Sequence, residues 1–195
     1  MNILVIGGSG FIGSHIVDEL IVSGHKVSVL SHTSEKFRPP LDGVKYYYED
    51  ILSIANSQEA IATADVVIHS ASSTNPATSN ANPQADVETN LIGMLRLLEC
   101  MRQHNKKRIL FLSSGGTVYG IPKILPIPED HPLDPYCSYA VVKVAMEHYL
   151  NMYTHLHGFQ TTIIRAANPY GPRQAYSENQ GVIANFSAKA IKGEL

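Results

Sequence analysis

Short apolar runs recur along the chain, separated by stretches whose apolar residues fall at helical spacing. "NILVI" (2–6) is the first run, and glycines follow it at once. "FIGSHIVDELIVSG" (11–24) then sets Phe11, Ile12, Ile16 and Leu20 along one helical face. "KVSVL" (26–30), "VKYYY" (44–48), "DVVIH" (65–69), "RILFLSS" (108–114) and "TTIIR" (161–165) read as further strands. Helices are expected over 84–104, where Val87, Leu91, Met94, Leu95, Leu98 and Met101 make a stripe, over 136–157 and over 181–192. Asp134 is expected to cap the helix at 136, with Pro135 in its first turn.

Strand and helix alternate, and several strands are apolar on both faces. That pattern predicts an α/β fold of Rossmann type, a doubly wound parallel sheet with helices on both faces. The chain reads as one dinucleotide-binding domain over 1–195, without repeat or linker. The 121–135 loop, "IPKILPIPEDHPLDP", is long enough to cover a site, although a rigid surface loop explains it equally well.

Charge narrows the partners. Fifteen basic and 17 acidic residues carry no block of either sign, which leaves nucleic acid and anionic membrane unsupported as partners. No run reaches the roughly 18 apolar residues of a membrane span. Cys100 and Cys137 form no spaced motif, which suits a cytoplasmic protein, and the scattered histidines make no metal signature.

Chemistry concentrates in three places. Gly7, Gly10 and Gly13 sit between the first strand and first helix, where glycines let backbone approach a pyrophosphate and a helix start offers N–H groups. The carboxylate that often ends the second strand is replaced by Ser31. His32, Thr33, Lys36 and Arg38 follow it, a set open to a 2′-phosphate, although Lys36 and Arg38 read equally well as solvated loop residues, and the choice between NAD and NADP stays open. Tyr139 and Lys143 lie four apart, hence on one helix face. A phenol with its pKa near 10 becomes a usable base only beside positive charge.

In order and spacing, Gly7-x-x-Gly10-x-x-Gly13, "EDI" (49–51), "VVIHSAS" (66–72), "ETNLIGMLRLLE" (88–99), "SSGGTVYG" (113–120), Tyr139-x-x-x-Lys143 and "RAANPYGPRQ" (165–174) resemble the extended short-chain dehydrogenases/reductases. Within them the chain is most similar to the NAD-dependent epimerase/dehydratase family, of the nucleotide-sugar 4-epimerase type. The resemblance implies that Phe11 and Ile12 give N–H groups to the pyrophosphate and that Asp50 and Ile51 bound the adenine. It implies that Ala71, Ser72, Asn90 and Ser113 line the cofactor, that Tyr139 and Lys143 reach the nicotinamide ribose, and that Asn168 lies near the substrate phosphate. It also implies a smaller C-terminal substrate domain, which this chain is expected to lack, and a homodimer.

The family pattern puts Ser or Thr at the third position of "SSGGTVYG", where this chain has Gly115. Ser114 and Thr117 flank it. Thr117 is the favoured replacement in contacting substrate, because Ser114 precedes the glycine pair and can turn into the sheet. Sugar dehydratases resemble Thr-Asp-Glu across 115–117, and this chain carries no carboxylate there. The expectation is therefore a nucleotide-sugar epimerase passing through a 4-keto sugar, with Tyr139, Lys143, Thr117 and Ser114 in the catalytic group. An NADP-dependent reductase and a dinucleotide-binding module without catalysis are the alternatives.

Overall fold

Six parallel strands form one sheet in the order β3-β2-β1-β4-β5-β6 in a computed structural model that describes residues 1–53, 57–174 and 181–194. The strands are β1 (Asn2–Ile6), β2 (Lys26–Ser31), β3 (Lys45–Tyr48), β4 (Val66–His69), β5 (Arg108–Ser114) and β6 (Gln160–Ala166). β1 is central, paired with β2 on one side and β4 on the other. The α/β reading is correct, and the strand order is that of a doubly wound dinucleotide fold.

Alternation along β1 shows why the run is apolar throughout. Ile3 and Val5 pack with Val17, Val27, Val29 and Ile68, and Ile16 and Leu20 of α1 (Phe11–Val22) complete that layer. Leu4 and Ile6 face the opposite way, into a layer with Ile61 of α2 (Gln58–Thr63) and Phe111. Leu97, Leu98 and Met101 of α5 (Gly93–Gln103) and Met146 and Leu150 of α6 (Ser138–His157) fill the same layer. Burying each such side chain contributes about 1.5–3 kcal/mol, so a strand apolar on both faces is pinned at the sheet centre.

Two expectations need correction. The 84–104 stripe is helical, but not as a uniform α-helix. After the short α3 (Pro76–Ser79), α4 (Pro83–Asp86) passes into a wide π turn at Val87–Ile92 before α5 begins. The wider turn breaks the 3.6-residue period, so Val87 is turned partly to solvent while Met94, Leu98 and Met101 stay buried. It also carries Asn90 inward.

Asp134 does not cap α6. The helix starts at Ser138, with Cys137 as N-cap and no side-chain cap bond of its own. Its first N–H groups are met from elsewhere: Ser138 N donates to Asn80 Oδ1 at 2.9 Å and Tyr139 N to Ser79 Oγ at 3.0 Å. Asp134 instead accepts from the Tyr136 hydroxyl at 3.0 Å. The last helix, α7 (Val182–Lys192), matches the expected 181–192 except that Gly181 is its N-cap. Among the described residues no helix is long and apolar enough to cross a membrane.

Candidate functional site

A cleft of about 860 Å³ opens at the carboxyl ends of the strands, on both sides of the β1/β4 switch point. Its two ends are built by different means.

At the β1 end, backbone does the shaping. Gly7 has φ +82°, and a Cβ there would come within 2.7 Å of Ala71 N, so this glycine lets the β1 and β4 turns approach one another. A Cβ at Gly13 would strike the Gly7 carbonyl, which lets α1 start close against the strand. Gly10 differs: a Cβ there meets only the Gly7 carbonyl oxygen, at 3.3 Å, and its open side is the cleft. The first intrahelical bond of α1 runs from Ser14 N to Gly10 O at 2.9 Å. The N–H groups of Phe11, Ile12 and Gly13 thus belong to the unpaired start of the helix, and all three residues line the cleft. Ser31 also lines it, with its hydroxyl accepting from Ser9 N at 3.2 Å.

Asp50 and Ile51 form the next part of the wall. Asp50 Oδ1 accepts from Leu52 N at 2.8 Å, and Ile51 packs so near α5 that a Cβ on Gly93 would lie 2.6 Å from its Cγ2. Arg38 is not available to a phosphate, because Asp18 and Glu35 both hold it, the latter at 2.7 Å.

At the β5 end, buried polar side chains do the shaping. Asp86 is fully buried and accepts from Thr74 Oγ1 at 2.6 Å, Asn90 Nδ2 at 2.8 Å and Ser138 Oγ at 2.6 Å. Asn90 Oδ1 accepts from Ser73 N at 3.1 Å, which fixes the turn bearing Ala71 and Ser72. Ser72 turns its own hydroxyl to Thr74 O at 2.9 Å.

Lys143 reaches under the cleft from α6. Its Nζ donates to Leu112 O at 3.0 Å, 4.7 Å from the Phe111 ring centroid and 5.6 Å from that of Tyr139. Burial pulls its pKa down to about 8, while Asp86 and Glu147 act to keep it charged. Burial pushes the Tyr139 phenol above its ordinary value, and a hydrogen bond with the Ser114 side chain acts against that rise. Thr117 Oγ1 donates to Ser114 Oγ at 2.8 Å. Ser114, Thr117 and Tyr139 therefore form one hydroxyl relay on the cleft wall, and Ser114 is not turned away into the sheet.

Gly115 has its own explanation. A Cβ there would lie 2.7 Å from Arg165 O, so β6 backbone occupies the space a serine would need in this loop conformation. Asn168, at φ +31°, and Gln174 line the far rim. Ser113 lines the cleft but gives its hydroxyl to Glu147 Oε1 at 2.5 Å.

Sequence reasoning missed Glu147 and its partners. Glu147 is nearly buried and takes Arg165 through Nε at 3.1 Å and Nη2 at 2.7 Å. Arg165 Nη1 continues to the Tyr119 hydroxyl at 2.9 Å and Glu129 O at 3.0 Å. This fastens the 121–135 loop beside the sheet, and no residue of that loop lines the cleft. The spacing of Lys143 and Glu147, four apart on one helix, was the available signal. His69 was missed too. It lines the cleft with both ring nitrogens buried and unpartnered, and burial pulls its pKa down to about 3.

The profile of the NAD dependent epimerase/dehydratase family matches residues 3–194. The chain belongs to that family. Within the family, a UDP-glucose 4-epimerase of Mycolicibacterium smegmatis is 37% identical over 201 residues, covering 99% of this chain and 64% of the relative. A Thermotoga maritima UDP-glucose 4-epimerase crystallised with UDP-glucose superposes with a TM-score of 0.92 at 37% identity, covering 100% of this chain and 64% of that one. The Thermus thermophilus UDP-glucose 4-epimerase in complex with NAD gives 0.87 at 37% identity, with 99% and 63% covered. This member of the family thus spans about 64% of the length of the curated relatives it matches.

Proposed function

We propose that the protein is the dinucleotide-binding part, residues 1–195, of a nucleotide-sugar 4-epimerase that uses bound NAD. One observation carries the reading: Tyr139, Ser114 and Thr117 converge above Lys143 at the β5 end of a cleft whose other end is the Gly7–Gly13 turn. The UDP-glucose and NAD bound to the two solved relatives support the ligand classes.

The cleft fits such a cofactor. A side chain at Gly10 would project into the space the backbone leaves open, and the buried Ser9 hydroxyl, which also lines the cleft, lacks a protein partner. Bound there, NAD would supply the hydride acceptor and donor for the sugar C4. The chain's own part is proton transfer and orientation. Tyr139 takes the proton of the 4-hydroxyl as general base, and the Thr117–Ser114 relay stabilises the phenolate by hydrogen bonding. Lys143 supplies positive charge beneath and a hydrogen-bond donor toward the ribose. Asn168 sits on the rim where the substrate's phosphate would lie. The 115–117 loop holds two glycines and a threonine, so elimination has no acid–base pair in it.

Incubation of the protein with UDP-galactose, followed by proton NMR, tests the reading. Appearance of UDP-glucose without net change in cofactor redox state is expected. Net consumption of reduced cofactor would establish a reductase instead, and cofactor binding without any turnover in a full-length protein that includes the substrate domain would favour the binding module. A homodimer belongs to the same proposal, supported by the exposed Val141, Met152 and Leu156 in one stripe along α6. A cytoplasmic setting is supported by two unpaired cysteines.

A further inference from the structure

Resting on the dinucleotide reading above, we infer that the site accepts nicotinamide dinucleotides both with and without a 2′-phosphate, and that Ser31 is the residue that leaves it undiscriminating. Sites of this fold separate the two cofactors by charge beside the second strand. A carboxylate bonds the 2′-hydroxyl and repels a phosphate, whereas an arginine accommodates the phosphate. The end of β2 offers neither.

Ser31 is buried, and its oxygen accepts from Ser9 N at 3.2 Å. Its own proton stays available to a ribose hydroxyl or to a phosphate oxygen. The Ser9 hydroxyl lies on the same wall, in a residue only 7% exposed, and is without a protein partner. Ser31 therefore offers a neutral donor to this part of the cleft, with the buried and unpartnered Ser9 hydroxyl close behind it. His32 and Thr33 continue the wall and are exposed, so a phosphate placed there keeps much of its water and escapes the large cost of a buried charge.

Arg38 would be the cation to expect nearby, but Asp18 and Glu35 neutralise it, and its Nη2 donates to Ser14 O at 3.3 Å. Lys36 is exposed. The two carboxylates that line this wall, Glu49 and Asp50, are engaged by the turn after β3. Glu49 accepts from Ser57 N at 3.0 Å and Asp50 from Leu52 N at 2.8 Å. The end of β2 itself thus carries neither a carboxylate nor a cation, and the nearest lining carboxylates, Glu49 and Asp50, belong to the turn after β3.

Titration calorimetry of the protein with NAD and with NADP is the test, and it reads binding without any need for turnover. Dissociation constants within about tenfold of each other are expected. A new carboxylate should restore discrimination: Ser31→Asp still accepts from Ser9 N, and it should weaken NADP relative to NAD by roughly thirtyfold through like-charge repulsion. Thr33→Asp, at an exposed position, should shift the ratio the same way by less, and it serves if Ser31→Asp fails to fold. A wild-type preference beyond about a hundredfold in either direction would overturn the inference while leaving the dinucleotide reading intact. An unchanged ratio in both variants would remove Ser31 from the role. Binding of neither cofactor would overturn the dinucleotide reading itself, and this inference with it.

Discussion

The two ends of the cleft are shaped by opposite routes. At the β1 end the decisive groups are missing side chains: Gly7 and Gly13 let backbone approach backbone, and Gly10 leaves room for a ligand. At the β5 end the decisive groups are buried polar side chains, with Asp86 and Glu147 each holding several partners and Lys143 bonded to Leu112 O beneath them. The glycine end is specified locally, by a few consecutive residues. The charged end is specified by residues from four elements, and each depends on the others being present.

That contrast can be broken most severely through chemistry. In a full-length protein, Tyr139→Phe should lower epimerase turnover by about 10²–10⁴-fold while cofactor affinity stays near wild type. Steady-state kinetics alongside calorimetry checks both, and a variant within threefold of wild type would remove Tyr139 as the base.

Removing charge should act on stability instead. Glu147→Ala leaves Arg165 without its carboxylate and Ser113 without its acceptor. Breaking such a pair should cost roughly 3 kcal/mol in urea unfolding. A loss below about 1 kcal/mol would mean that Tyr119 and solvent suffice for Arg165.

His69 sharpens the same point with pH. Its folded pKa of about 3 lies below the ordinary 6.5, so the unfolded chain binds the extra proton between those values. Stability from the neutral ring is therefore present above pH 6.5 and lost as pH falls toward 3. At pH 5 that loss is about 2 kcal/mol, and His69→Leu should remove most of it. Equal acid sensitivity in the variant, followed by circular dichroism, would contradict a buried neutral imidazole.

The smallest effect belongs to the glycine end. Gly10→Ala should weaken dinucleotide binding about tenfold or more and shift stability by less than about 1 kcal/mol. A variant that unfolds before it loses affinity would show that Gly10 serves packing, as Gly13 does.

How far the sequence could be read follows from the same contrast. Strands apolar on both faces, the glycine turn, and Tyr139 with Lys143 are short-range patterns, and all were legible as expectations. The start of α6 was not, because Ser79 and Asn80 meet its first N–H groups from about sixty residues earlier in the chain. Nor was the π turn at 87–92, whose period departs from the one used to find helices. Arg165 and His69 ended apolar strands and read as strand residues, since nothing local marks the partner of a buried charge. Gly115 looked like a lost hydroxyl until the Arg165 carbonyl was seen to fill its place.

Asp18 ties distant stretches of the chain together in time as well as in space. It holds Arg38, nearby in sequence, and Arg173, close to the end of the described 57–174 segment, while His15 on the same helix contacts Pro172 O at 2.9 Å. At ribosomal rates of about 5–20 residues per second, Arg38 is made within a few seconds of Asp18, and Arg173 roughly ten to thirty seconds after it. For that interval the nascent first helix has one of its two arginines. The second arrives only when β6 has been synthesised, so the clasp over α1 closes long after the helix itself has been made.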